Sequence, residues 1–306
     1  VVKYANVGIR GKEGAWNYRM RFRLNKVDDG SSRLSKANNN VDYAYIGYKV
    51  MPTLKLTLGK VVANTGALEG YNGGFQQNFF WSETANNLPV EYQSGFQSDF
   101  SFGNSSVAVQ LLNGQSESSE QKAGEMGLTI FAETNLMDGK FNPVIAYGNF
   151  PRHAATVGEG ATEETDDEVA TGHLAIGLKS KVASWTIEVE SATVDTPKYS
   201  SWTADDAGAV TETENEASKF ESQIFRVTGD MDSFTPWLKV SLNTHTNGDA
   251  GYTSTQFTLG TLYSPDEGPG KIHAAYVSDT KDAEDAADVK TNTKSSKLIV
   301  GFGVEL

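Results

Sequence analysis

From Trp16 to Asn25 every second residue is apolar. Trp16, Tyr18, Met20, Phe22 and Leu24 alternate with Asn17, Arg19, Arg21, Arg23 and Asn25. Successive side chains of a strand point to opposite faces, so this segment predicts a strand with one apolar and one basic face. The pattern recurs along the chain. Leu54, Leu56 and Leu58 share a face, with Lys55 and Thr57 on the other. Tyr92, Phe96, Phe100 and Phe102 are set against Glu91, Gln93, Gln97 and Asp99. The final segment places Leu298, Val300, Phe302, Val304 and Leu306 on one face. The pattern holds in most segments, whereas Lys219–Gly229 alternates poorly and yields no clear phase.

About fifteen such segments follow one another, joined by connections that alternate short and long. Short turns are expected at Gly11–Gly14, Met51–Thr53, Gly103–Ser105, Met137–Gly139, Lys181–Ala183, Met231–Ser233 and Asp266–Gly268. Many segments approach the roughly 9–11 residues that cross a bilayer as a tilted strand. The fold class this predicts is all-β: one antiparallel transmembrane β-barrel of about 16 strands, with short periplasmic turns and long outer loops. Single-chain bacterial barrels have even strand counts. The sixteenth strand either precedes Val1 or lies unrecognised in a long connection. The whole chain, 1–306, reads as a single barrel domain.

Composition agrees with this pattern. Mean hydropathy is negative, as expected when polar lumen residues alternate with lipid-facing ones. No apolar run approaches the roughly 18 residues of a membrane helix. The opening Val-Val-Lys-Tyr-Ala lacks a basic n-region and an apolar h-region, so it reads as mature or trimmed sequence. There is no cysteine, which excludes thiolate zinc sites and thiol nucleophiles. The net charge of −13 argues against nucleic acid as a partner. Acidic residues concentrate in Glu159–Glu168, Asp205–Glu216 and Asp279–Asp288, which read as solvated outer loops. The alternative is a cation-bridged contact with anionic headgroups. Trp16 and Trp185 follow short turns on the apolar face, where an interfacial aromatic girdle belongs.

The connection 61–89 carries the clearest functional signal. It holds Gly66, Gly70, Gly73 and Gly74, the aromatics Tyr71, Phe75, Phe79, Phe80 and Trp81, two carboxylates, Glu69 and Glu83, and no basic residue. So much apolar mass predicts packing on protein, here by folding into the lumen as a constriction loop. Facing it, Arg10, Arg19, Arg21, Arg23 and Lys55 form a basic wall. A transverse field between that wall and Glu69 would orient polar solutes. The competing reading has the basic ladder bracing the barrel against wall acids such as Glu91 and Asp99. Lumen charge favours anions and the acidic loops favour cations, which leaves the sign of ion preference open.

The run Val41-Asp42-Tyr43-Ala44-Tyr45-Ile46-Gly47-Tyr48-Lys49, followed by Leu54–Lys60 and a long loop, resembles bacterial porins of the phosphate-selective porin O and P type. The pair around Gly8–Lys12 and Trp16–Leu24 and the Phe-x-Pro starts at Phe141 and Phe234 are similar in style. The likeness covers about the first hundred residues. It implies a sixteen-stranded, trimeric channel of the bacterial outer membrane, in contact with lipid and lipopolysaccharide. It does not imply phosphate selectivity, because phosphate-selective members use basic residues on the constricting loop and 61–89 has none.

Other chemistry has little support. His153, His173, His245 and His273 match no metal-ligand spacing, and Asp279–Asp288 and Asn247–Asp249 match no calcium-loop template. Ser241 and His245 share a strand face but stand too far apart to act as a catalytic pair. No catalysis, cofactor or metal is expected. The sequence therefore predicts passive diffusion of small hydrophilic solutes and ions. The alternatives are a channel specific for sugars or anions, using Tyr71 or Phe75 as an aromatic slide, and a plugged structural or adhesive barrel.

Overall fold

The computed structural model describes residues 6–23, 41–69, 82–88, 92–113, 126–152, 169–204, 210–265, 270–284 and 289–304. Its strands are β1 (Asn6–Glu13), β2 (Trp16–Arg23), β3 (Val41–Met51), β4 (Leu54–Val62), β5 (Tyr92–Phe102) and β6 (Ser105–Leu112). Then come β7 (Gly127–Thr134), β8 (Asn142–Arg152), β9 (Val169–Val182), β10 (Trp185–Thr196), β11 (Tyr199–Ala204) and β12 (Val210–Asn215). The last are β13 (Ser218–Gly229), β14 (Phe234–Asn247), β15 (Ala250–Tyr263), β16 (Gly270–Glu284) and β17 (Lys290–Val304). One short helix, α1 (Glu83–Asn86), lies in the connection between β4 and β5.

Fifteen strands form one antiparallel sheet in chain order, with β11 and β12 set apart as a separate hairpin between β10 and β13. All fifteen segments read from the alternation are strands of this sheet. The end strands β1 and β17 run in the same direction, and no ladder joins them among the described residues.

The register keeps each face consistent across neighbours. Ile9 pairs with Met20, Tyr18 with Ile46, and Ile46 with Leu58, while Arg10 pairs with Arg19 and Arg19 with Tyr45. The outer face is uncovered and apolar: Leu298 is 72 % exposed, Val300 69 % and Leu58 62 %. In water an apolar surface this continuous would drive aggregation, whereas acyl chains satisfy it. Near the short turns the same face carries aromatics. Trp16 meets Tyr48 with ring centroids 4.5 Å apart, Phe234 meets Tyr263 at 4.9 Å, and Trp185 is exposed. That is an interfacial girdle.

Several boundaries differ from the sequence expectation. The first turn is Gly14-Ala15, with Gly11, Lys12 and Glu13 inside β1. Gly14 has φ +57°, which suits the first central position of a two-residue hairpin. The expected long connection after His245 shrinks to the two residues Gly248 and Asp249, because β14 and β15 each run 14 residues. Two of the three acidic stretches also contain strand: β12 lies in 205–216, and β16 reaches Glu284. These outer ends stand above the acyl chains, where both faces are polar and alternation carries no signal. The same geometry explains Lys219–Gly229. In β13 the inner face carries Ser218, Phe220, Ser222, Ile224 and Arg226. The outward face changes from Val227 and Phe225 to Gln223, Glu221 and Lys219 as the strand leaves the membrane.

Candidate constriction and its seat

The segment that follows β4 turns inward. Ala63, Asn64, Thr65, Ala67, Leu68 and Glu69 are all buried, with Ala67 at 0 % exposure. They pack on the inner face of the sheet, so 63–69 is the incoming limb of an inward loop. Its apolar contacts are Ala67 and Leu68 with Ala108, Phe131, Val144, Ala146, Ala175 and Ala192, which lie on five strands from β6 to β10. Val61 and Ala63 join Leu112, Phe150 and Tyr45. Small wall residues hollow out this seat. A Cβ added at Gly177 would lie 2.8 Å from Leu68 Cγ. Gly177→Leu should therefore displace the limb, and raised protease sensitivity of 63–69 in the folded barrel would reveal it.

A loop buried against protein must find acceptors for its backbone N–H groups. The wall supplies them. Asn64 N donates to Gln110 Oε1 (2.7 Å), and Gly66 N donates to His173 Nε2 (2.7 Å). Ala67, Leu68 and Glu69 donate three successive amides to the Glu190 carboxylate at 3.0, 2.8 and 2.8 Å. Two or three amides on one carboxylate make a strong, directional anchor.

The returning limb is held too. Ser82 caps α1, its Oγ accepting from Ala85 N at 3.3 Å. Glu83 N donates to Asn243 Oδ1 (3.2 Å), and Thr84 N donates to Ser222 Oγ (3.2 Å). Glu69 joins the two limbs: it accepts from Ser82 N and Ser82 Oγ and pairs with Lys239 of β14. Both members of that pair are buried. Beside it, Glu188 bridges Arg226 and Lys179, the latter at 3.8 Å.

These contacts correct the expected field. Glu69 does not face the arginine wall across open water; it is 3 % exposed and its charge is matched by Lys239. The basic wall splits in two. Arg21 pairs with Asp42 at 2.8 Å and Lys55 with Asp99 at 3.0 Å, so these two brace the barrel. Asp42 reaches Arg21 because a bulge between Arg21 and Phe22 shifts the register there. Arg10 and Arg19 are exposed on the inner face, directly opposite each other in the ladder, with no carboxylate partner among the described residues. Arg19 also lies over the Tyr43 ring, 4.9 Å from its centroid. Glu83 is part-buried on α1. The Arg23 side chain, Glu91, Tyr71, Phe75 and the other aromatics of 70–81 lie outside what the structure describes. His245 Nε2 lies 3.1 Å from Ser218 Oγ, whereas Ser241 is buried opposite Gln256.

Gln110, Glu190, Ser222, Lys239 and Asn243 carry no expectation from sequence, and His173 enters there only as a candidate metal ligand. A signal for the seat does exist: at Phe131-Ala132 and Val144–Ala146 the alternation lapses and both strand faces are apolar. An inner face apolar over several neighbouring strands marks where something other than water covers it.

The comparisons with known proteins fit this architecture. The profile of the phosphate-selective porin O and P family matches residues 2–143. OmpT, an outer membrane protein of Vibrio cholerae, is 12 % identical, with a TM-score of 0.66 over 98 % of this chain and 88 % of that one. The outer membrane channel DcaP of Acinetobacter baumannii is 13 % identical, with a TM-score of 0.61 over 97 % of this chain and 82 % of that one. The anion-selective porin from Comamonas acidovorans is 10 % identical, with a TM-score of 0.57 over 98 % and 88 %. No curated protein sequence matches the chain significantly. The early strands match that porin profile, and at 10–13 % identity the structural likeness shows the fold: the chain has the antiparallel β-barrel fold of outer-membrane porins.

Proposed function

We propose that the chain is a passive diffusion channel, working as a trimer, that admits small hydrophilic solutes and prefers small anions. The loop 61–89 sets the size limit. The sign of selectivity follows from one observation: the acid expected to oppose the basic wall, Glu69, is matched by Lys239, while Arg10 and Arg19 keep their charge on the inner face. Lumen charge outweighs charge on the outer loops because pore walls focus the field and salt screens exposed charge within about 8–10 Å. The missing basic residues on 61–89 speak against a dedicated phosphate site, so the preference is for anions as a class.

Planar-bilayer recording tests this reading. Conductance steps in groups of three support the trimer, and the reversal potential in a KCl gradient should take the sign of an anion-preferring pore. Arg10→Ser with Arg19→Ser should move that potential toward zero or past it. A cation-preferring parent, or a potential unmoved by the double variant, would count against the arginines as the filter.

A further inference from the structure

His173 sits on the inner face of β9, buried where the incoming limb crosses it. Its two ring nitrogens have opposite jobs. Nδ1 lies 2.9 Å from the Thr193 carbonyl oxygen, which can only accept, so Nδ1 carries the proton. Nε2 lies 2.7 Å from the Gly66 backbone nitrogen, which can only donate, so Nε2 must be bare. Gly66 has φ +79°, the turned conformation in which its amide faces the ring. The two partners together require the neutral Nδ1–H tautomer. A proton added to Nε2 would set two N–H groups against each other in a buried contact.

We infer that His173 is a positioning residue for the constriction: neutral, it latches the Gly66 turn of the incoming limb to the wall, and protonated, it lets that turn go. The inference rests on the reading of 61–89 as the constriction. The balanced chemistry is a single proton taken from water by Nε2, with loss of the Gly66 N–H bond. Gly66 lies between the Asn64 amide held by Gln110 and the three amides held by Glu190, so loss of its bond loosens the limb between those two anchors. The elements packed on His173 bring few other charges. β8 offers Gly148 and Phe150, β10 offers Val194 and, further along, Glu190 and Glu188, and the limb offers Glu69. On β9 itself the nearest charged inner-face residue is Lys179. The carboxylates also titrate in acid, so the experiment must separate them from the ring.

His173→Gln does so. Its amide oxygen can still accept from Gly66 N–H, it cannot be protonated in this range, and it leaves Glu190, Glu188 and Glu69 in place. Two readouts are taken between about pH 7 and about pH 4: single-channel conductance, and hydrogen exchange of the 63–69 backbone corrected for intrinsic rate. In the parent, acid should raise exchange at Gly66 roughly tenfold, as expected for one lost buried hydrogen bond, and shift conductance with it. His173→Gln should hold both flat. His173→Ala should show the released values throughout. A His173→Gln profile that tracks the parent would overturn the latch and assign the response to the carboxylates. Exchange that responds as described in a barrel with no conductance would support the latch and overturn the channel reading.

Discussion

Glu190→Ala should open the pore. Three successive amides of the incoming limb, from Ala67, Leu68 and Glu69, end on this one carboxylate. Hydrogen bonds to a charged group contribute about 1.5–3 kcal/mol each, and a buried donor left without an acceptor costs about 1–3 kcal/mol. The contributions are not additive within one anchor, so a total on the order of 4 kcal/mol is the physical expectation. Opposing release are the apolar seat under Ala67 and Leu68, small because its walls are mostly alanine, the Asn64 and Gly66 amides on Gln110 and His173, and the Glu69–Lys239 pair. The anchor outweighs that packing, so its loss should free the stretch between the holds at Gly66 and Glu69 and raise single-channel conductance by up to about twofold, since the narrowest lining sets the flow. Glu190→Gln should fall between, because an amide oxygen can accept from only part of the set. Unchanged conductance in Glu190→Ala would show instead that the alanine seat and the other holds keep the limb in place.

The strands were legible in the sequence because lipid imposes a strict rule. Wherever a segment crosses the acyl chains its outward residues must be apolar, and Trp16–Phe22, Leu54–Leu58 and Leu298–Val300 obey it. Legibility stopped where the rule stops. The outer ends of β13 to β17 stand in water on both faces, so their lengths, and the two-residue turn at Gly248 and Asp249, left no trace in the alternation. The inward turn of 63–69 agrees with the expectation drawn from the composition of 61–89, whereas the seat of that limb had no such expectation. Ala108, Ala146, Ala175 and Gly177 are unremarkable one at a time and become a hollow only when β6, β8 and β9 come together on one wall. The anchors are remoter still: His173, Glu190 and Lys239 lie 107, 123 and 170 residues from the partners they hold. Without the register, Glu69 reads as a free pore acid.

Lys239→Met should be among the most damaging single changes in the lumen. Lys239 and Glu69 are both buried, and Ser82 supplies further donors to the carboxylate. Removing one member of a buried pair leaves an uncompensated charge, at a cost of about 3–5 kcal/mol. The unfolding midpoint of the barrel in denaturant should fall accordingly. Function should move with it. A Glu69 without its ammonium adds a negative charge to the constriction, which opposes Arg10 and Arg19 and draws the reversal potential toward cations. Pairing the change with Glu69→Gln removes the stranded charge. That double variant should recover most of the lost stability, because replacing both members of a buried pair is often nearly neutral. It should also recover the anion preference, since Arg10 and Arg19 are untouched. The comparison separates charge from packing. If the double variant stays as unstable as Lys239→Met, the lysine stem and not its pairing with Glu69 supports the wall. If the single variant keeps both stability and selectivity, Glu69 is not buried in the working channel and the field across the pore reverts to arginine wall against loop carboxylate.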